Sequence, residues 1–247
     1  MQVVFLGTNG WYDTDTGNTI CILIKSDNYH IILDAGNGLY KIDNYCKKKK
    51  LAYLFLSHFH LDHIIGLHIL NRIKCFQELH IFGPKGTKNI LNKFINSPFT
   101  MPISQLPFPV EIYELPKDQK KVPFHVNSKP LLHSSLTLGF RLELNEKVIS
   151  YCPDTGYCEN AVELPRNADL LIAECAYKSG QKSSKWPHLN PETAAKIAKE
   201  SDAKRLALVH FDAYLFNTLD DRKEAEKKAQ EIFKNTFASS DDLIVNI

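Results

Sequence analysis

LAYLFLSHFHLDH, residues 51–63, holds the reading of this chain. Its first six residues form one apolar run, the pattern of a strand covered on both faces. Ser57-His58-Phe59-His60-Leu61-Asp62-His63 follows at once. Two apart at a strand end, His58 and His60 can leave the chain on the same side. Asp62 and His63 come where the chain turns into a helical stretch, and they can point back at the same pocket. Four metal-capable side chains within six residues offer nitrogen and oxygen donors together, which suits a borderline metal such as zinc.

The pattern around this stretch alternates strands and helices. Upstream, residues 3–6, 19–25 and 29–34 read as short strands, with 26–28 a hairpin turn, and 39–48 has helical spacing through Leu39, Ile42, Tyr45 and Cys46. Downstream, 64–73 predicts a helix, 80–82 a strand and 87–95 another helix. Residues 98–130 carry seven of the 12 prolines and read as long loops with short strands. In the second half, 137–144 and 147–151 make a hairpin around Asn145-Glu146, and a short helix falls near 159–164. Then come a buried strand at 170–173, a helix at 191–199, a strand at 206–209, an amphipathic helix at 219–233 and a closing strand at 243–247. No composition shift marks a boundary. The expectation is an α/β fold of two covered sheets in one domain, residues 1–247.

With 247 residues, 44% hydrophobic and 23% charged, the chain is neither collagen-like nor disordered, and it can bury a core without disulfides. Its apolar runs fall far short of the roughly 18 residues of a membrane span. The start, MQVVFLGTNG, lacks the basic segment of a secretory signal, so a cytoplasmic location is expected. A formal charge of +2 is too small to imply nucleic-acid binding by itself. Cys21, Cys46, Cys75, Cys152, Cys158 and Cys175 form no CxxC pair and read as small buried apolar residues. His30, His68, His80 and His125 are expected to serve no site. Lys47, Lys48, Lys49 and Lys50 read as a solvated helix end. Trp11 and Tyr12 have two readings, a base-stacking surface or a packed loop anchor.

Two adjacent metals need more ligands than residues 57–63 supply. His133 follows a short apolar stretch, Asp154 follows the strand ending near Tyr151, and His210 ends the apolar run 206–209. Each is a polar residue beyond an apolar strand, where open α/β folds gather their sites.

The HxHxDH run, the later single His, the Asp of CPDTG (152–156) and the His of LVHFD (208–212) together resemble the metallo-β-lactamase superfamily over essentially the whole chain. The resemblance implies a four-layer αββα sandwich with a site for two divalent metal ions between the sheets. Zinc is the default ion, and manganese or iron is also compatible with the donors. By the family pattern His58, His60 and His133 hold one ion, Asp62, His63 and His210 hold the second, and Asp154 bridges them. Asp62 thereby counts as both ligand and catalytic residue. Asp34 of ILDAG (32–36) matches an aspartate that supports such a site without ligating. Two cations supply hydroxide at neutral pH and take up charge on substrate oxygens during attack.

DLLIAECAY (169–177), WPHLNPETAAKIA (186–198) and KRLALVHF (204–211) are similar to the tail of ribonuclease Z. There a strand-end Glu and a His before the next helix pair beside the metals; here they are Glu174 and His188. A carboxylate orients an imidazole and stabilises its protonated form, making a general acid for a departing oxygen. Two departures stand out. Leu189 replaces a threonine after the His, and only 21 positions separate His133 from Asp154, too few for the long tRNA-clamping arm of that family. The implied activity is hydrolysis of phosphodiesters, in a small nucleotide or in RNA, by an arm-less enzyme that pairs as a homodimer. The alternatives are an acyl hydrolase for thioesters or lactones on the same metal site and, behind it, an oxidoreductase of the same fold.

Overall fold

The computed structural model describes residues 1–247. The first half of the chain forms β1 (Gln2–Gly7), β2 (Asn9–Gly10), β3 (Cys21–Lys25), β4 (Tyr29–Leu33), α1 (Ile42–Tyr45), β5 (Lys50–Phe55), α2 (Leu61–Ile64), β6 (Phe76–Gly83), α3 (Thr87–Phe94) and β7 (Val110–Glu114). The second forms β8 (His125–Leu131), β9 (Thr137–Leu144), β10 (Lys147–Cys152), α4 (Glu159–Glu163), β11 (Leu170–Glu174), α5 (Pro191–Glu200), β12 (Leu206–Val209), β13 (Phe211–Asp212), α6 (Leu219–Gln230), β14 (Thr236–Ala238) and β15 (Ile244–Asn246).

One sheet has the order β15-β1-β3-β4-β5-β6-β7, the other β14-β12-β11-β10-β9-β8, and β2 pairs with β13 as a small third sheet. Neighbours from β4 to β7 run parallel, as do those through β10, β11, β12 and β14. The proline-rich stretch is where the chain passes from the edge strand of one sheet, β7, to the edge strand of the other, β8, and Pro130 sits on that edge, where it breaks no interior ladder.

Strand alternation builds the layers. Tyr53 and Phe55 of β5 join Phe5, Phe140, Ile172 and Val209 in the core between the sheets, whereas Ala52, Leu54 and Leu56 face α1, α2 and α3 on the outside. Leu171, Ala173, Leu206 and Leu208 do the same on the other sheet, packing against α4, α5 and α6. The result is the expected αββα sandwich, and it explains why both sides of the 51–56 run are apolar.

Two expected helices are shorter or differently wound. Residues 39–48 give a 3-10 segment (Asn37–Lys41) and the single turn of α1; 64–73 gives the end of α2 and a 3-10 segment (Ile65–Arg72). For the second the cause is competition for backbone groups: Ala35 N–H bonds His63 O and Gly66 N–H bonds Ala35 O, tying the segment to the loop after β4 rather than to its own preceding turn. Gly66 permits this approach, since a Cβ there would lie 2.1 Å from Gly36 O. The strand β14 was not anticipated. It is three residues long and borrows its order from β12.

Arg222 of α6 ties the small sheet down. Its guanidinium is buried without a carboxylate partner, and donates to Thr8 Oγ1 (2.7 Å), Ser239 O (3.2 Å) and Asn9 Oδ1 while lying 4.7 Å from the Phe211 ring centroid. Burial pulls its pKa down to about 10. Replacing it with Met leaves those acceptors unpaired inside the protein. Arg222→Met is expected to cost about 2–4 kcal/mol in urea unfolding; a change under about 0.5 kcal/mol, the range of ordinary surface substitutions, would show that the guanidinium holds nothing.

Candidate metal centre

Parallel strands bring their C-terminal ends to one edge, and every candidate residue lies there. Asp34 follows β4, residues 57–63 follow β5, Asp154 follows β10, Glu174 ends β11 and His210 follows β12. His133 arrives from the end of β8, and its loop is bonded to the next one, with Gly156 N–H on Leu132 O (2.8 Å) and Leu132 N–H on Thr155 Oγ1 (3.2 Å). Leu138 N–H to Ser57 O (2.9 Å) links the two sheets directly beneath the site.

The side chains converge in two groups. His58, His60, His133 and Asp154 each offer a donor atom within 4.8 Å of the others, and so do Asp62, His63 and His210. Asp154 reaches both: Oδ2 lies 3.8 Å from His58 Nε2 and 3.7 Å from His133 Nε2, while Oδ1 lies 3.1 Å from His63 Nε2 and 3.2 Å from His210 Nε2. His133 Nε2 is 3.4 Å from His60 Nδ1. Two nitrogens bound tetrahedrally to zinc at ~2.0–2.1 Å stand about 3.3–3.4 Å apart.

Proton bookkeeping says the same. Asp34 is fully buried and accepts from Ser57 N (2.7 Å), Ser57 Oγ (2.7 Å), Tyr151 OH (2.8 Å) and His63 Nδ1 (2.8 Å). With Ser57 Oγ–H spent on Asp34, that oxygen accepts from His58 Nδ1 (2.9 Å). Both imidazoles therefore turn Nε2 inward, and that of His58 carries no proton. His58 Nε2 and Asp154 Oδ1 are buried with no hydrogen-bond partner. Lone pairs facing one another without a donor fit a cation, and a carboxylate fixing the far nitrogen is the usual support for a ligating histidine.

Electrostatics divides the two groups. Burial and the neighbouring imidazoles push His58 well below the ordinary histidine range; burial also lowers His60 and His133, against the pull of Asp154. For His63 burial works downward too, but Asp154, Asp62 and Asp34 together raise it. The carboxyls of Asp154 and Asp62 resist their own burial and stay below the usual range because of His63 and His210. The two carboxylates are thereby ready for a cation, while the raised His63 gives up a proton when one binds.

Glu174 and His188 face this cluster. Glu174 is fully buried, accepting from Thr155 N (2.6 Å), Ala176 N (3.1 Å) and His188 Nδ1 (2.7 Å). Burial opposes a charged His188, but Glu174 overrides it and raises the imidazole to about 9. Its ring lies 5.1 Å from that of His133, centroid to centroid. Leu189, the departure noted in the sequence, is buried in the core against α5 and anchors the backbone beside His188; Asn190 then caps α5 by accepting from Thr193 N (2.9 Å).

The loop before β3 closes the other side. Trp11 and Tyr12 are 66% and 41% exposed, so neither is a packed anchor, but Trp11 N–H donates to Asp62 Oδ2 (2.7 Å). Trp11, Asp34 and His210 all hold left-handed backbone conformations without being glycine, a strain that concentrates at working sites. Gly10 makes room for the His210 ring; a Cβ there would meet His210 Cε1 at 2.5 Å. Sequence reasoning overlooked Ser57, Tyr151, Thr155 and Gly10. Only Ser57 carried a signal, its place directly before the first His. His68, His80 and His125 stand outside both groups; Lys47, Lys48 and Lys49 are solvated as expected, whereas Lys50 opens β5, half-buried, and donates to Ser26 O (2.7 Å).

Residues 29–211 match the β-lactamase superfamily domain. The chain is 26% identical to ribonuclease Z of Bacillus thuringiensis (strain Al Hakam), over 98% of this chain and 97% of the relative. That alignment runs to 305 positions against 247 residues here, so the relative carries tens of residues with no counterpart. Among solved structures, the metallo-β-lactamase fold protein YhfI of Bacillus subtilis is similar with TM-score 0.79 and 23% identity, covering 99% of both chains. The short form of human tRNase Z is similar with TM-score 0.77 and 22% identity, covering 100% of this chain and 99% of that one.

Proposed function

This chain belongs to the metallo-β-lactamase superfamily, on its ribonuclease Z-like side, and is a metal-dependent hydrolase; we propose that it cleaves compact phosphodiesters. In this reading residues 1–247 work as one cytoplasmic domain. His58, His60 and His133 hold one divalent ion, Asp62, His63 and His210 hold the second, and Asp154 stands between them. Zinc is the first choice for such donors. Bound there, the ions supply a nucleophile at neutral pH and take up charge on the phosphoryl oxygens. Asp34 keeps the proton on the outer nitrogen of His63, and through Ser57 on that of His58, so both rings stay oriented as ligands.

The observation that carries the reading is the 2.7 Å contact between Glu174 Oε1 and His188 Nδ1. Glu174 holds His188 as an imidazolium whose remaining N–H is free to protonate the departing alkoxide. A phosphodiester with a sugar leaving group needs that proton; an activated acyl substrate does not. The interval 133–154 supports a compact substrate. It is spent on the hairpin of β9 and β10, closed by Asn145 and Glu146, both in left-handed conformations, so no arm extends there. No helix is long and apolar enough to cross a membrane.

The test compares kcat/KM for cyclic nucleotides, bis-p-nitrophenyl phosphate, precursor tRNA and a thioester in metal-reconstituted protein at about 150 mM salt, near physiological ionic strength. Compact phosphodiesters should lead, because tight tRNA binding needs many phosphate contacts and weakens steeply with salt. A preference for precursor tRNA of about a hundredfold or more would overturn the compact-substrate reading and point to a basic surface lent by a second copy in a homodimer. Faster turnover of the thioester would move the enzyme to acyl chemistry.

A further inference from the structure

At the far end of the same sheet, His30, Cys46 and Cys75 bring their donor atoms within 4.8 Å of one another, and all three are buried. His30 lies near the start of β4, Cys46 just past α1, and Cys75 just before β6. They share no residue with the candidate catalytic centre, which lies at the other ends of these strands. From the sequence alone His30 was expected to serve no site, and the two cysteines read as small buried apolar residues.

The surroundings are arranged as they are around a ligating set. His30 Nε2 donates to Lys48 O (3.1 Å), which leaves Nδ1 unprotonated and aimed at Cys46 Sγ, 3.5 Å away. Sulfur and nitrogen bound tetrahedrally to one zinc, at ~2.3 and ~2.0–2.1 Å, stand about 3.5–3.6 Å apart. Cys75 is fixed through its backbone, whose N–H donates to Asp43 Oδ1 (3.1 Å), and Cys46 through N–H to Ile42 O (3.0 Å). Asp43 and Cys46 come from the same short helical turn, so that turn sets both cysteines against the strand carrying His30. Filler cysteines need no such carbonyl contact on the histidine's outer nitrogen, whereas a ligating histidine usually has one.

We propose that His30, Cys46 and Cys75 form a separate binding site for one thiophilic divalent cation of the zinc type. Binding takes a proton from each thiol and places two thiolates and one neutral imidazole on the ion. Its effect is structural: it clamps α1 and the segment before β6 onto β4.

Cobalt distinguishes this site from the catalytic one, whose donors are all nitrogen and oxygen. Metal-free, reduced protein is titrated with Co2+ while near-ultraviolet sulfur-to-cobalt charge transfer is followed. A band is expected that saturates within the three equivalents taken up by this site and the catalytic centre together, with the amplitude of one thiolate-bound cobalt per chain. It should be at least tenfold weaker in Cys46→Ser and in Cys75→Ala, and of unchanged amplitude in His60→Ala, which damages only the other centre. Because the wild-type titration already reads sulfur ligation, the outcome does not depend on either cysteine variant folding. Absence of the band, its survival in both cysteine variants, or oxidation of Cys46 and Cys75 to a disulfide in the protein as purified would each overturn the proposal.

Discussion

Asp154→Ala is expected to lose both ions and almost all activity, whereas His60→Ala loses chiefly one ion. The difference lies in where the carboxylate stands. Its two oxygens face different groups, Oδ2 toward His58 and His133 and Oδ1 toward His63 and His210. Removing it leaves each group short of a negative donor, and each keeps only neutral nitrogens or, in the second, Asp62. His60 belongs to one group alone. Loss of a supporting partner around a ligand costs about 10–100-fold in metal affinity or activity, and loss of a shared ligand should exceed that. Elemental analysis gives the ions per chain, and turnover of a cyclic nucleotide gives the activity. Asp154→Ala protein that retains both ions of this centre, counted beyond the one proposed at Cys46 and Cys75, and full turnover would remove Asp154 from the site. Chelation of the unmodified protein should abolish activity, and return of the divalent ion should restore it.

The layers were legible because strand alternation and burial leave a direct mark. A six-residue apolar run ending in HxHxDH can be read as a doubly covered strand feeding a site, and β5 is that strand, with its register one residue earlier. The hairpin at Asn145-Glu146 and the strand 206–209 were equally plain. What the sequence hid was contact between distant segments. Tyr151 looks like one more inward aromatic of β10, yet its hydroxyl meets Asp34, 117 positions away. Thr155 acts through its backbone N–H on Glu174, and a backbone group has no letter in the sequence. The helix expected at 64–73 was rewound for the same reason: periodicity records which faces are apolar, and it says nothing about which backbone groups the neighbouring loop will claim.

The Glu174–His188 pair beside the proposed metal centre gives the second large effect. His188→Ala should retain both ions yet lose turnover by about 10²–10⁴-fold on substrates that expel an alkoxide, the usual cost of deleting a general acid. Although His188 lies with Asp154 and His210 inside one 4.8 Å cluster, its Nδ1–H is committed to Glu174, whose carboxylate favours the imidazolium. A protonated imidazole has no lone pair for a metal, so the ions should stay when it is removed. Its remaining N–H has value only where the leaving oxygen is basic. Bis-p-nitrophenyl phosphate expels a weakly basic phenolate and should suffer far less from the same substitution. The informative quantity is therefore the ratio of the two losses, measured on one metal-loaded preparation so that folding and occupancy cancel. A merely structural His188 would disturb the pocket alike for both substrates, and equal losses would remove proton donation from the mechanism.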